Sequence, residues 1–167
     1  LDEETNFGVW GGKEYVPKNY DGRFRGEVTL REALAQSLNI PSIKVLLQFA
    51  GIPDSLAFAQ ELGIGTLKDP SSYGPALVLG GGEVRLLDMA SAYGVFAAEG
   101  RKSPPVSILT VADVAGNVLQ VNQNTPIRVV GPEITRQITS ILADNEARTP
   151  VFGANSPLFI PGYYVAV

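Results

Sequence analysis

Residues 31–46 read REALAQSLNIPSIKVL, which is a pattern of two helices with a short break between them. The first helix is expected to end near Ser37–Asn39. Pro41 has no backbone N–H and suits the first turn of a second helix. The run from Ile43 to Ala50 is apolar on nearly all sides, so the second helix is predicted to be buried. The break therefore presents a hydroxyl and a carboxamide, two residues apart, between two helices.

The helix that leads into this break begins with a capping box. The hydroxyl of Thr29 can accept the backbone N–H three residues on, and the side chain of Glu32 can reach back to the N–H of Thr29. Leu30, Ala33 and Leu34 then follow at helical spacing. The pattern predicts an amphipathic helix that starts at Thr29.

Composition limits the classes of protein that the chain can represent. Its 167 residues, 45% of them hydrophobic, are enough for one domain with a core. The 18 glycines and 12 prolines predict short elements with many connections. A net charge of −4 and the absence of a basic stripe argue against a nucleic-acid partner. No apolar run reaches about 18 residues, so we expect no membrane contact from this chain itself.

Histidine and cysteine are both absent from the chain. This excludes a Ser-His-Asp relay, histidine or thiolate metal sites, and disulfides. A base working near neutral pH would have to be a lysine or a carboxylate with a shifted pKa. We expect neither a cofactor nor a metal ion.

Along the chain, short helices alternate with loops, and strands are few. The pattern predicts one α-rich α+β domain with five parts: an aromatic, glycine-rich loop over 1–28, a helical part over 29–100, a β-hairpin over 105–121, a helix over 131–147, and a loop over 149–167 that leads into a truncated strand.

Ser37 and Asn39 have a purely local interpretation as well as a functional one. A serine is common at a helix end, and an asparagine is common in a turn before a helix that starts with proline. Three residues alone cannot decide between the two.

The surrounding sequence favours the functional interpretation. Several runs, in this order along the chain, resemble the transpeptidase domain of the class A (bifunctional) penicillin-binding proteins, which belong to the penicillin-binding and serine β-lactamase-like superfamily: residues 19–26 (NYDGRFRG), 28–41 (VTLREALAQSLNIP), 62–64 (LGI), 79–84 (LGGGEV), 87–93 (LDMASAY), 105–119, and the helix that follows Pro132.

The resemblance implies a chemistry and a set of partners. In that family a serine, activated by a lysine one turn later, attacks the D-Ala-D-Ala carbonyl of a peptidoglycan stem peptide, and β-lactams acylate the same serine. By the match to the Ser-x-Asn motif, Ser37 would relay a proton and Asn39 would bind the substrate amide. The family implies an extracytoplasmic location and a parent protein anchored in the membrane.

The same comparison shows what these 167 residues lack. No lysine is preceded by a serine three residues earlier, so there is no Ser-x-x-Lys, and there is no Lys-Thr-Gly or Lys-Ser-Gly either. We therefore expect an internal fragment of a transpeptidase domain that is inactive alone, with no nucleophile in this chain. A strand cut off near Val167 would also allow self-association through its edge.

Two rival functions stay open. One is a catalytically dead scaffold that docks partners of the cell-wall machinery. The other is a hydrolase that uses a pair of carboxylates, and its candidates are Asp54, Glu61, Asp69 and Glu83.

Four further features are expected to be structural. Gly80–Gly82 is interpreted as a loop and not a phosphate cradle, because no Lys-Ser/Thr follows it. Lys44 is interpreted as a packed stem with a solvated ammonium group. Residues 2–4 are interpreted as a solvated acidic end, and the aromatics Trp10, Tyr15 and Tyr20 as a packed loop.

Overall fold

The computed structural model describes residues 1–167 and confirms an α-rich α+β fold. Its helices are α1 (Leu30–Ala35), α2 (Asn39–Val45, continued as a π-helical turn Leu46–Ala50), α3 (Ile52–Leu62), α4 (Leu86–Ala97), α5 (Pro132–Leu142) and α6 (Asn145–Phe152), with 3-10 helices at Pro70–Ser72 and Pro75–Leu79. No helix combines the length and the apolar character needed to span a bilayer.

The strands form three separate antiparallel pairs. They are β1 (Val9–Trp10) with β2 (Lys13–Glu14), β3 (Arg101–Lys102) with β6 (Ile127–Arg128), and β4 (Thr110–Ala112) with β5 (Val118–Val121). The β4–β5 hairpin lies where the alternating pattern predicts one. The 1–28 segment contains a short hairpin of its own, which the sequence pattern did not indicate. Residues 163–167 pair with no strand, and the N–H of Val167 donates to the carbonyl of Leu142 at 3.0 Å.

The capping box of α1 forms as predicted. The backbone N–H of Glu32 donates to the hydroxyl of Thr29, and Glu32 Oε2 accepts from the N–H of Thr29 at 2.7 Å. Arg31 then ties this helix to the C-terminal helices, since its guanidinium lies 3.1 Å from the carboxylate of Asp144 and also donates to Ser140. The capping box and this contact fix the start of α1 relative to α5 and α6.

The second helix differs from the sequence prediction. It starts at Asn39, with Leu38 as its N-cap, and it is not buried on all sides. Ile40 and Ile43 are fully buried, but Phe49 is 81% exposed. One side of this apolar run thus packs against the rest of the chain, and the other side is exposed.

The C-terminal helix is divided in two, whereas the sequence suggested one helix over 131–147. The first helix ends at Leu142, and Asp144 caps the second by accepting the N–H of Ala147 at 2.9 Å. The second helix continues to Phe152, into a region expected to be loop. This extension matters because α6 supplies part of the candidate site.

The main core lies between α3 and α4 and includes the turn that leads into α5. Its seven buried members are Leu56, Leu62, Ile64, Leu67, Ala92, Val95 and Val130. The glycine run over 80–82 belongs to this packing: a Cβ on Gly81 would lie 2.7 Å from the carbonyl oxygen of Ala76, and one on Gly82 would lie 2.6 Å from Leu67. The close approach of neighbouring atoms therefore accounts for these two glycines.

Candidate functional site

Ser37 and Asn39 line one cleft of about 280 Å³. The cleft lies where the break between α1 and α2 meets the N-terminal segment and the end of α6. Its other lining residues are Asn19, Tyr20, Asp21, Arg25, Gln36, Leu38, Val151 and Phe152. Three regions that are distant in sequence thus meet at the Ser-x-Asn segment.

Ser37 adopts a left-handed backbone conformation, with φ +55°. Helix α1 ends in a Schellman motif, in which the N–H of Leu38 donates to Ala33 O at 2.9 Å and the N–H of Ser37 donates to Leu34 O at 3.1 Å. The left-handed position of this motif is usually glycine, because a Cβ is disfavoured there. In this chain that position carries a serine.

Neither side chain makes the local contacts that a capping role requires. The hydroxyl of Ser37 is exposed and makes no hydrogen bond within the chain. Leu38, not Ser37 or Asn39, is the N-cap of α2, and no side chain caps that helix. The interpretation of Ser37 and Asn39 as caps therefore has no support in the hydrogen bonds.

Asn39 is held from outside its own helix. Its Nδ2 donates to the carbonyl of Lys18 at 2.7 Å, and its backbone N–H donates to Oδ1 of Asn19 at 2.8 Å. Its Oδ1 accepts no hydrogen bond within the chain and is left for an incoming donor. The amide is thus oriented while its acceptor stays free.

An ion pair forms another wall of the cleft. Arg25 Nη2 lies 2.7 Å from Asp21 Oδ2. The hydrogen bond from the Arg25 side chain, followed by the one from the backbone N–H of Arg23, holds the pKa of Asp21 below its usual range. Asp21 is therefore ionised at neutral pH, and its charge offsets that of Arg25.

The cleft holds no lysine that could act as a base. Lys44, the lysine nearest in sequence to the Ser-x-Asn segment, instead donates to the carbonyl of Leu1 at 3.0 Å and pairs with Glu3 at 3.2 Å. Its ammonium group is thus paired and not merely solvated, unlike our sequence interpretation. A hydroxyl can donate and accept at once, and an amide oxygen accepts. The cleft can therefore pass on a proton and bind an N–H group, but it contributes no nucleophile with its base.

Two sequence interpretations are wrong in this region. Asp2 is fully buried and not part of a solvated acidic end, because its carboxylate accepts from Asn19 and from the N–H of Arg25. Tyr20 is 96% exposed at the cleft and not packed. Trp10 is 40% exposed, and its ring lies against Gly74, where an added Cβ would come within 2.9 Å.

The sequence did not single out Asn19 or Gln36, which also lie in this cleft. Gln36 is 6% exposed, and its Oε1 has no hydrogen-bond partner. Its position directly before the Ser-x-Asn segment was the only signal for it. Asn19 carried a signal only as the first residue of the NYDG run.

The carboxylate-pair alternative has no shared cleft. Asp54, Glu61, Asp69 and Glu83 are all exposed, and none of them lines any of the larger clefts. The carboxylate of Asp69 instead caps a 3-10 helix by accepting from Ser71. No group of three or more acidic side chains is placed to hold a metal ion.

Comparison with known proteins identifies the relatives of this chain. No protein-family model matches it. It is 35% identical over 140 residues to penicillin-binding protein 1A of Aquifex aeolicus and 39% identical over 124 residues to penicillin-binding protein 2D of Bacillus subtilis, matches that include 84% and 73% of this chain. The chain spans about 17% of the length of these two curated relatives.

Solved structures agree. Penicillin-binding protein 1A from Haemophilus influenzae superimposes with a TM-score of 0.74 and 27% identity, over 85% of this chain and 25% of that one. PonA1 from Mycobacterium tuberculosis gives 0.73 and 25%, over 96% of this chain and 43% of that one. With these relatives and this fold, the chain belongs to the class A penicillin-binding proteins and represents part of their transpeptidase domain.

Proposed function

We propose that this segment forms one wall of the active site of a peptidoglycan D,D-transpeptidase. Ser37 relays a proton, and Asn39 hydrogen-bonds an amide of the stem peptide. The nucleophilic serine and its lysine come from residues outside these 167, because no Ser-x-x-Lys occurs within them.

The observation that carries this proposal is the conformation of Ser37. A non-glycine residue in a sparsely populated backbone region costs of order 1–3 kcal/mol, and such residues cluster at functional sites. Ser37 has φ +55°, and no hydrogen bond of its hydroxyl within the chain offsets the cost. Ser37 is instead exposed and lines the same cleft as Asn39. A role outside the chain explains why a serine occupies this position.

The proposed reaction assigns one step to each group. The nucleophilic serine oxygen attacks the carbonyl carbon between the two D-alanines, and its proton passes to its lysine. The C–N bond then breaks to give an acyl-enzyme, and the leaving nitrogen takes a proton relayed through the hydroxyl of Ser37. The amide of Asn39 fixes the peptide without bringing a charge that would have to be desolvated. An amine of a neighbouring stem peptide then attacks the acyl carbonyl, the C–O bond to the nucleophilic serine breaks, and a proton from the amine returns to the serine oxygen.

The proposal also sets location and ligands. Cross-linking of stem peptides takes place outside the cytoplasmic membrane, so we place the segment there, within a membrane-anchored parent protein. β-Lactams would acylate the intact domain. This accords with the fold that the chain shares with penicillin-binding protein A of M. tuberculosis, solved as an imipenem acyl-enzyme complex (TM-score 0.75, 18% identity).

The test measures acylation by a fluorescent penicillin in the complete protein. Ser37→Ala should slow acylation by about 10²–10⁴-fold, as expected for a positioned proton-transfer group. Ser91→Ala is the matched control, because its hydroxyl donates to Leu87 O within α4, away from the cleft. This control should acylate at the wild-type rate.

Two outcomes would contradict the proposal. Acylation of the Ser37→Ala protein at a rate near wild type would remove the relay and favour the scaffold interpretation. Covalent labelling of the isolated 167-residue chain would show that a nucleophile lies within it.

A further inference from the structure

Asn39 takes its position from a polar network in the N-terminal segment. The carboxamide of Asn19 accepts the backbone N–H of Asn39 at 2.8 Å, and the carbonyl of Lys18 accepts from its side chain at 2.7 Å. The backbone and the side chain of Asn39 are therefore both held by residues 18–19.

Asn19 is in turn held by Asp2. Its Nδ2 donates to both carboxylate oxygens of Asp2, at 2.9 and 2.8 Å, and to the carbonyl of Arg23 at 2.7 Å. Asp2 Oδ2 also accepts the N–H of Arg25 at 2.9 Å. Asn19 is 5% exposed and Asp2 is 0% exposed, so this network is closed to solvent.

The chemistry of the carboxylate decides how Asn19 is oriented. Both carboxylate oxygens of Asp2 face Asn19 and accept hydrogen bonds from it, so the amide group that faces Asp2 is the NH₂. The carbonyl of Asn19 is thereby turned toward Asn39, where it meets a backbone donor. An amide turned the other way would place NH₂ against N–H and oxygen against oxygen, leaving buried polar groups unpaired.

The backbone completes the arrangement. Asp2 pairs with Gly26 through two hydrogen bonds, of 2.7 and 2.9 Å, so the carboxylate cannot shift without opening this bridge. Arg25, which donates its N–H to Asp2, also lines the cleft. The network therefore joins two walls of the cleft.

We propose that Asn19 is a positioning residue for the Ser-x-Asn segment and that Asp2 orients it. Asn19 fixes the peptide group of Asn39 and thereby aims the Asn39 amide and the adjacent Ser37 hydroxyl into the cleft. This inference rests on the proposed function, because that function supplies the substrate toward which these groups are oriented.

The test is Asn19→Asp in the complete protein, assayed by acylation with a fluorescent penicillin. The substitution keeps the size and the acceptor for Asn39, but it removes the donor and sets two carboxylates against each other. The acylation rate constant should fall by about 10²-fold, the effect of a displacement of about 1 Å in a catalytic group.

The reciprocal variant distinguishes positioning from mere folding. In Asp2→Asn combined with Asn19→Asp, residue 2 supplies an NH₂ to the carboxylate of residue 19, so donor and acceptor are exchanged between these two residues, although the hydrogen bond to the carbonyl of Arg23 is not remade. Acylation should then recover by at least tenfold over Asn19→Asp alone. Leu56→Ala, in the core between α3 and α4, is the control for lost stability, and it should acylate at the wild-type rate below its Tm.

Each result has a defined meaning. If Asn19→Asp acylates at the wild-type rate while Ser37→Ala acylates slowly, the inference about Asn19 is overturned. The proposed function is then still supported. Slow acylation by Asn19→Asp without recovery in the reciprocal variant, or equal slowing in Leu56→Ala, also overturns it. If Ser37→Ala acylates normally, the proposed function fails and this inference fails with it.

Discussion

Adding one methyl group at Gly100 should destabilise the domain more than the same change at any other open or left-handed glycine of the chain. Gly100 follows α4 with φ +86°, and its carbonyl accepts the N–H groups of Val129 and Val130 at 2.9 and 3.2 Å. A Cβ at this position would lie 2.0 Å from the carbonyl oxygen of Val130. The backbone of Val130 cannot rotate away as a side chain would.

The magnitude follows from two separate costs. A side chain in the left-handed region costs about 1–2 kcal/mol. Relief of the overlap requires strand β3 to move away from β6, which breaks at least one hydrogen bond and leaves a buried group unpaired at about 1–3 kcal/mol. We expect Gly100→Ala to lower the free energy of unfolding by about 3 kcal/mol or more, and Tm by roughly 6–12 °C.

Two other glycines isolate the contributions. Gly80 has φ +89° and nothing within 4 Å of an added Cβ, so Gly80→Ala should show the conformational cost alone. Gly94 lies within α4, also with open space around it, and Gly94→Ala should stabilise by about 0.5–1 kcal/mol through helix propensity. The expected order of stability is Gly94→Ala, wild type, Gly80→Ala, Gly100→Ala.

The assay is urea denaturation of the complete domain, followed by far-UV circular dichroism, with thermal melting as a second measure. A Gly100→Ala protein no less stable than Gly80→Ala would show that the close approach of Val130 contributes nothing to the loss of stability. A destabilising Gly94→Ala would show that space we describe as open is filled.

Two further predictions concern the cleft and its support. Gln36→Met should leave Tm unchanged or raise it, because the buried Oε1 has no partner and an unpaired buried acceptor costs about 1–3 kcal/mol; a fall of several degrees would reveal a partner for that oxygen. The pKa of Asp144 is lowered by the N–H of Ala147 and, to a smaller extent, by Arg31. Its contribution to stability is therefore fully present above the unfolded pKa of 3.8 and is lost as pH falls below it. Asp144→Asn keeps a capping oxygen but cannot titrate, so its Tm should depend less on pH than the Tm of the wild type as the pH falls below 3.8. Parallel Tm profiles of the two proteins in that range would contradict this.

Local signals explain the parts of the fold that the sequence predicted. The capping box needs only Thr29 and Glu32, which are three residues apart, and the hairpin needs only alternating residues with a turn between them. Such signals can be read from the sequence because they do not depend on contacts with distant parts of the chain. The family resemblance similarly depended on short runs in a fixed order.

Long-range contacts explain what the sequence did not predict. Nothing beside Asp2 shows that Asn19 and Arg25 will enclose it, so an acidic chain start is interpreted as solvated. Likewise, the apolar run into Phe49 gives no sign of which side stays open. The break before α6 did have a local signal, because Asp144 is a good N-cap, but the apolar pattern across 132–142 concealed it.

For the candidate site, the sequence allowed the residue types to be predicted but not their geometry. Ser37 and Asn39 were predicted as site residues from the family resemblance of the sequence around them, whereas the left-handed φ of Ser37 follows from the Schellman motif that ends α1. A glycine at position 37 would have indicated that motif in the sequence. A serine at this position gives no sign of the left-handed conformation.

The bridge between Asp2 and Gly26 has a practical consequence for dividing the protein into pieces. It closes the first part of the chain into a loop whose base carries a carboxylate that supports the Ser-x-Asn segment. Truncating the chain just after Asp2, or fusing a rigid tag at that point, would remove no residue that lines the cleft. Either change would still disturb the hydrogen bonds that hold Asn19 and, through it, Asn39. A shortened form of this protein should therefore keep the buried carboxylate of Asp2 and not simply begin at the first helix.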